Sequence, residues 1–560
     1  MLHAFDPSTL AEKFAYVPGM IANRLAEIPL QRGTVARTRI TVNGTTSNFT
    51  TNTVEAQPSG TVWAYVDGNP FTADAKLGIT IDATTGAEKG TWYTYLFNAL
   101  GRGGRGVFAL DVTNTTGATD WSILNEGNAN SIFKWQFSAD DDVQDSNEIS
   151  DLGYIVSDIG NNANSGQANP VAKLNNGKFA LLLNNGPQSA SGKAALYLLF
   201  IDGPDPTTGK WTRITSTKPT GQYVKIVADV GPNNGLSKPI WIDRDNNGTA
   251  DVVYAGDLKG NLWKFDISSA TPSEWAVAYK TPDKVTNRPL FTAQYSTTAN
   301  GVTTTTALPI TAAPEYVYPA FDGLIINFGT GNAFETGDFP KAGVPQRFYG
   351  IWDQPAFASS QDTGPLIPSN ASLVKRTYSR DANGDVTVTA DSTSSQGVAT
   401  FNSINWTSQY GWYFDLPGTS EAVLSDPDLQ AGYLVFSSVR PKTDTNVCNS
   451  TPNSTLYIID PISGRTTRAG LLNSSGATVA GIAVSGQKWV VVNDNTSAVR
   501  AIKSCTGGTA GCVNGGLPPA ANPDQICKAV VDSDRAKHTI CYNPLGRVQW
   551  REIPGLRTDK

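Results

Sequence analysis

Short apolar runs that stop at an aspartate recur along the chain. They are Leu2-His3-Ala4-Phe5-Asp6, Val107-Phe108-Ala109-Leu110-Asp111, Leu198-Leu199-Phe200-Ile201-Asp202, Leu262-Trp263-Lys264-Phe265-Asp266, Tyr349-Gly350-Ile351-Trp352-Asp353 and Leu456-Tyr457-Ile458-Ile459-Asp460. Each run suits one buried strand and is too short for a helix. Pro, Ser, Thr or Gly follows within a residue or two, so the aspartate can cap the turn that ends the strand. Glycines precede several copies (Gly103-Gly104, Gly192, Gly260), as in a short hairpin feeding an inner strand. Successive aspartates stand 64 to 107 residues apart, too irregular for a solenoid of fixed period. Four-stranded blades with loop insertions of variable length fit that spacing. Helical periodicity is poor; 20–28 and 524–531 are the best short candidates. The pattern predicts an all-β chain, a single β-propeller over residues 1–560.

Three stretches read as irregular insertions. Residues 296–309 are Thr-rich without apolar period and predict an exposed loop. Residues 373–390 predict a hairpin turning at Asn383-Gly384, outside the core. The third stretch, near 500–545, holds four of the five cysteines, Cys505, Cys512, Cys527 and Cys541; Cys448 lies upstream. Small residues separate Cys505 from Cys512, which favours a disulfide there in an oxidising compartment, and Cys527 and Cys541 could close a second loop. No C-x-x-C pair occurs, which argues against a zinc ribbon or a redox motif.

Composition narrows the function classes. Charged residues are 16% of the chain, and 13 Trp, 19 Tyr and 21 Phe supply a core, which excludes disorder for the bulk of it. The net charge of −6 argues against a nucleic-acid partner. His3 and His538 are the only histidines, too few for a multi-histidine metal centre. No apolar run reaches the ~18 residues of a membrane helix. Met1 opens directly on a strand-like run, as expected for the C-terminal part of a longer precursor with any export signal upstream.

One segment carries specific chemistry. Asp243-Arg244-Asp245-Asn246-Asn247-Gly248-Thr249-Ala250-Asp251 places oxygen side chains at loop positions 1, 3, 5 and 9. The Thr249 carbonyl can supply position 7, and Gly248 permits the tight turn. Calcium is a hard ion that takes roughly six to eight oxygens in a flexible cage. Three carboxylates and Arg244 sum to −2, which balances one divalent cation. Position 12 is Tyr254, where an EF-hand has Glu, and the flanks are strand-like. The expected ligand set is therefore Asp243, Asp245, Asn247, Thr249 and Asp251 in a strand–loop–strand. Asp381-Ala382-Asn383-Gly384-Asp385 only begins such a pattern and reads as a hairpin turn. Asp140, Asp141, Asp142, Asp145, Glu148 and Asp151 read as a solvated acidic loop. Gly101-Arg102-Gly103-Gly104-Arg105-Gly106 fits G-x-G-x-x-G formally, but its strand follows rather than precedes it, so it reads as a turn.

With these segments the chain resembles the C-terminal β-propeller of the PilY-type family of type IV pilus biogenesis factors and tip adhesins. The resemblance rests on Met1 to Asp6, Gly104-Arg105-Gly106 with the strand to Thr113, Asp151-Leu152-Gly153-Tyr154, Leu174-Asn175-Asn176-Gly177-Lys178, and the stretch 243–266. Phe328-Gly329-Thr330-Gly331, Gly411-Trp412-Tyr413-Phe414-Asp415-Leu416 and Trp550-Arg551-Glu552 extend it. It implies a quinoprotein-like propeller of seven or eight blades, a calcium ion on the loop just described, and no catalysis. It further implies regulation of pilus extension and retraction, twitching and adhesion. The implied partners are minor pilins and the pilus-tip complex, with a host or abiotic surface ligand. The implied location is the pilus tip, cell surface, periplasm or outer membrane of a Gram-negative bacterium. No Arg-Gly-Asp tripeptide is present, so an integrin route is not supported. The competing readings are a quinone-dependent dehydrogenase and a carbohydrate-binding propeller. No adjacent Cys pair supports the dehydrogenase.

Overall fold

The structure is a computed structural model. It describes residues 2–5, 10, 12–21, 39–42, 45–48, 65–113, 132–157, 159, 169–283, 285–335, 337–338, 343–354, 372–380, 386–389, 392–393, 399–400, 403–430, 433–440, 453–465, 473–474, 479–485, 488–493, 499–500, 526–531 and 537–542.

The recurring apolar run is a strand in every copy. The first copy, Leu2–Phe5, pairs only with Glu12–Tyr16. The other five, Gly106–Asp111, Ala194–Phe200, Asn261–Asp266, Arg347–Asp353 and Asn453–Ile459, belong to five different sheets of four to six mainly antiparallel strands. Each of these five has hydrogen-bonded neighbours on both sides. Asp111 accepts from the Thr113 backbone N–H at 3.0 Å, Asp266 from Ser268 at 3.0 Å and Asp460 from Ile462 at 2.8 Å, so these aspartates do cap their turns. Asp353 does not. It is buried, holds the Lys264 ammonium, and accepts from the hydroxyls of Tyr254 and Tyr279.

The runs are continuously apolar because both faces of these strands are covered. In Ala194–Phe200, Ala195, Tyr197 and Leu199 face the preceding sheet, with Phe97, Trp135 and Phe137. Ala194, Leu196, Leu198 and Phe200 face the following sheet, with Val253, Trp263 and Phe265. The same division repeats: Tyr254 and Leu262 pack with Phe328 and Tyr349, and Phe348 and Phe414 with Phe436 and Tyr457. Alternate side chains along a strand point to opposite faces, so a strand sandwiched between sheets is apolar on both, and a polar exception such as Lys264 needs a buried partner, here Asp353. Phe71, Asn184, Lys238, Thr311 and Asp426, from five successive sheets or the loops that feed them, line one cavity of about 550 Å³. Lys238 and Asp426 pair there at 2.7 Å. This is the all-β propeller expected from the sequence.

Several local expectations are corrected. The Thr-rich stretch is a two-stranded hairpin, Gln294–Ala299 with Val302–Ala307, whose exposed hydroxyls pair across the strands: Ser296 with Thr305 and Thr298 with Thr303, each at 2.9 Å. The next hairpin, Val374–Arg380 with Val386–Thr389, joins a six-stranded sheet through Gly411–Asp415 and buries Val374, Arg376, Tyr378 and Val386. Its place in the core follows from alternation, since Val374, Arg376 and Tyr378 share one face. Its turn at 381–385, with the weaker metal candidate, lies outside the described residues. Ile526–Val531 is a strand where a helix was the best local reading, and it pairs with Lys537–Tyr542 so that the backbones of Cys527 and Cys541 stand opposite each other. Cys448, Cys505 and Cys512 lie outside the described residues. Gly19 to Ile21 form a short turn of 3-10 helix, and the rest of that helical candidate is likewise not described.

The acidic run at 140–151 is solvated only in part: Asp140 and Asp145 are exposed, but two of its members are not. Asp142 and Asp151 are buried around Lys225, whose Nζ lies 3.0 Å and 2.8 Å from them. Asp142 also accepts from the Tyr197 hydroxyl at 2.9 Å and the Asp151 backbone N–H at 2.7 Å. Glu148 takes Arg213 as a partner. Burial alone would raise its carboxyl, but Arg213, the Gln144 backbone N–H and Lys225 hold it down at about 2. Arg213 and Lys225 come from the strands Arg213–Ile214 and Tyr223–Asp229, far along the chain from the acids, so local charge density gives no sign of them.

Candidate metal centre

The acidic loop closes two paired strands, Ile240–Ile242 and Val252–Gly256, with Ile242 opposite Val252. Its left-handed positions are Asn246 at φ 63° and Gly248 at φ 89°. Asn tolerates that region and Gly favours it, so the sequence supplies the right residues at both points. The Asp243 carboxylate accepts from the backbone N–H of Asn247 at 3.2 Å and of Gly248 at 2.8 Å. Asp245 accepts from the same Asn247 N–H at 3.1 Å and from its side-chain amide at 3.0 Å. Asn247 Oδ1 in turn accepts from the Thr249 N–H at 2.8 Å. The loop thus wraps its own amides around its carboxylates.

Asp251 is the anchored member. It is 6% exposed, whereas Asp245 is exposed and Asp243 half-buried. Its Oδ2 accepts from the Arg244 backbone N–H at 2.9 Å. The main chain of Asp251 is fixed on both sides, donating to the Ile242 carbonyl and accepting from the Ile267 N–H.

One carboxylate oxygen from each of Asp243, Asp245 and Asp251 lies within 4.8 Å of the others. Oxygens bound to one calcium at roughly 2.3–2.6 Å can stand at most about 5 Å apart, so these three fit a single coordination sphere. Asn247 and Thr249 lie within the same hydrogen-bonded loop. The donor set is all oxygen, which suits a hard cation. A calcium ion here would be held by Asp243, Asp245 and Asp251 with Asn247 and the Thr249 carbonyl, and would supply charge balance for the carboxylates.

Sequence reasoning gave no role to Asn175, in the turn between Val171–Lys173 and Phe179–Asn184 of the preceding sheet. Its amide reaches both Asp251 and Thr249. A sequence separation of more than 70 residues hides such a contact. The Asn-Asn-Gly turn was visible, but not what it faces.

Successive sheets packed face to face, with strands buried on both sides and an acidic strand–loop–strand on one sheet, make an all-β protein of propeller class with a candidate cation loop. The chain belongs to the PilY1 β-propeller family, whose model matches residues 1–389. It is 29% identical over 486 residues to the type IV pilus biogenesis factor PilY1 of Pseudomonas aeruginosa strain PAO1, an alignment covering 83% of this chain and 34% of that protein. A PilY1 homolog of Xylella fastidiosa is 28% identical over 578 residues, covering 99% of this chain and 32% of the homolog. The chain therefore spans about a third of the length of these curated relatives. The crystal structure of the P. aeruginosa PilY1 C-terminal domain superposes with a TM-score of 0.53 at 23% identity, over 97% of this chain and 89% of that one, and shares its fold.

Proposed function

We propose that this chain is the calcium-binding, non-catalytic propeller of a type IV pilus biogenesis factor. The carrying observation is the convergence of Asp243, Asp245 and Asp251 on one loop of a PilY1-family propeller. The relatives are named as pilus biogenesis factors, which supports the pilus role. Filling the loop would neutralise three mutually repelling carboxylates and order the surface around them, a local change able to bias a partner-binding face. The partners by this reading are minor pilins at the pilus tip, and the outputs are extension against retraction, twitching and adhesion at the surface of a Gram-negative cell.

Two measurements test this. Calorimetric titration of the 560-residue chain is expected to give one calcium site, with affinity between about micromolar and millimolar. In Asp251→Ala that binding should be lost or severely weakened, and unchanged stoichiometry and affinity would remove the metal assignment. Carried into the full-length precursor, the same substitution is expected to alter pilus number or twitching while circular dichroism reports a folded propeller. Wild-type piliation, twitching and adhesion in a calcium-free variant would exclude a regulatory role for the ion.

A further inference from the structure

Asn175 bridges the acidic loop to the sheet before it. Its Nδ2 donates to the Ala250 carbonyl at 2.9 Å, to Asp251 Oδ1 at 3.0 Å and to the Ile267 carbonyl at 3.3 Å. Its Oδ1 lies 2.9 Å from the Thr249 hydroxyl, whose single proton is shared between Asn175 Oδ1 and Asn247 Oδ1. The opposite orientation of the amide would set oxygen against two carbonyls and a carboxylate, so these neighbours fix which end points where. The backbone runs beside this contact: Ala250 donates to the Lys173 carbonyl at 2.9 Å, and Leu174 forms a parallel bridge with Ala250. Lys173 pairs in turn with Glu88 on a strand of the sheet before that.

We propose that Asn175 is a positioning residue of the cation site and that it ties occupancy of the loop to the preceding sheet; this rests on the calcium reading above. Asp251 is the buried carboxylate of the three, and its two oxygens are oriented by different elements, Oδ1 by Asn175 and Oδ2 by the Arg244 N–H. Asp243 and Asp245 are held by amides of the loop itself, which move with it. An incoming cation therefore meets one preset ligand and closes the more exposed half of the loop onto it. A neutral amide suits this task, because it orients a carboxylate without adding a positive charge that would repel the cation. Closure also loads the Thr249 hydroxyl and Asp251 against the same side chain, so the turn at 174–178 feels the ion without touching it.

The test uses the whole chain as wild type, Asn175→Ala and Thr249→Val, with calcium titration and amide hydrogen exchange in the presence and absence of calcium. Asn175→Ala is expected to raise the calcium Kd about 10–100-fold, the usual range for loss of an outer-shell partner. Thr249→Val keeps every carboxylate and the backbone carbonyl, and should raise it about fivefold, the equivalent of one hydrogen bond. In wild type, calcium should add protection at 174–178 as well as at 243–251. In Asn175→Ala at saturating calcium only the second protection should remain. A wild-type Kd in Asn175→Ala, or calcium-dependent protection of 174–178 that survives it, overturns the inference and leaves the calcium site standing. If Asn175→Ala does not fold, a wild-type Kd in Thr249→Val overturns it instead. A wild-type chain that binds no calcium overturns the calcium reading, and this inference with it.

Discussion

Lys225→Met is expected to destabilise the propeller by about 3–5 kcal/mol, the usual cost of removing one partner from a buried ion cluster. The Lys225 side chain is 4% exposed, and its ammonium lies 2.8 Å from Asp151, 3.0 Å from Asp142 and 3.2 Å from Glu148. Met fills a similar volume, so little of the loss would come from a cavity. What remains is a set of carboxylates held together, two of them, Asp142 and Asp151, closed to water. Glu148 keeps Arg213 and Asp151 keeps Lys193 at 3.2 Å, but Asp142 loses its cation and retains only neutral donors. Denaturant unfolding monitored by tryptophan fluorescence measures the effect, since Trp135 and Trp211 stand in the adjoining core. Lys134→Met, which breaks the more exposed pair with Asp111, should cost under about 1 kcal/mol in the same assay. Equal losses for the two variants would show that the buried cluster contributes no more than a surface pair.

Glu315→Gln should act in the opposite direction, and only at higher pH. Glu315 opens the strand Glu315–Val317 and is 7% exposed. Burial, with the nearby Asp428 and Asp426 adding to it, pushes its carboxyl up to about 8 from an ordinary value of 4.5, against a backbone hydrogen bond from Tyr316 that favours the charged form. The folded protein therefore keeps this proton up to about pH 8, while the unfolded chain releases it near pH 4.5. Stability from this group is full below pH 4.5, falls as pH rises toward 8, and levels off above it. At 1.36 kcal/mol per pH unit the total loss approaches roughly 5 kcal/mol. Gln keeps the shape and cannot ionise. The two proteins are expected to unfold at the same denaturant concentration at pH 4, with the variant more resistant at pH 9. A difference that does not grow between pH 5 and pH 8 would show that Glu315 is ionised in the folded state.

The strand Ala194–Phe200 shows its burial in its sequence. Seven consecutive apolar residues announce a strand buried on both faces, and the structure divides them between two neighbouring sheets. The convergence of Asp243, Asp245 and Asp251 was equally legible, because the three lie within nine residues and the left-handed turns between them fall on Asn246 and Gly248. Chemistry confined to one loop, and burial that follows a period of two, can be read along the chain. Contacts between distant segments cannot. Lys225 turns an apparently solvated acidic run into a buried cluster, Asp353 leaves its expected cap to bind Lys264, and Asn175 reaches the loop from another sheet. Ile526–Val531 is a strand and not the helix of its local pattern for a related reason, since a short apolar stretch takes its conformation from the sheet that receives it. By itself the sequence determined the all-β class, the strands that carry the core and the residues of the candidate cation loop. Only the tertiary structure decided which charges are buried, what each is paired with and which neighbouring sheet holds the loop. Those depend on approaches between residues far apart in the chain, and sheet packing alone sets them.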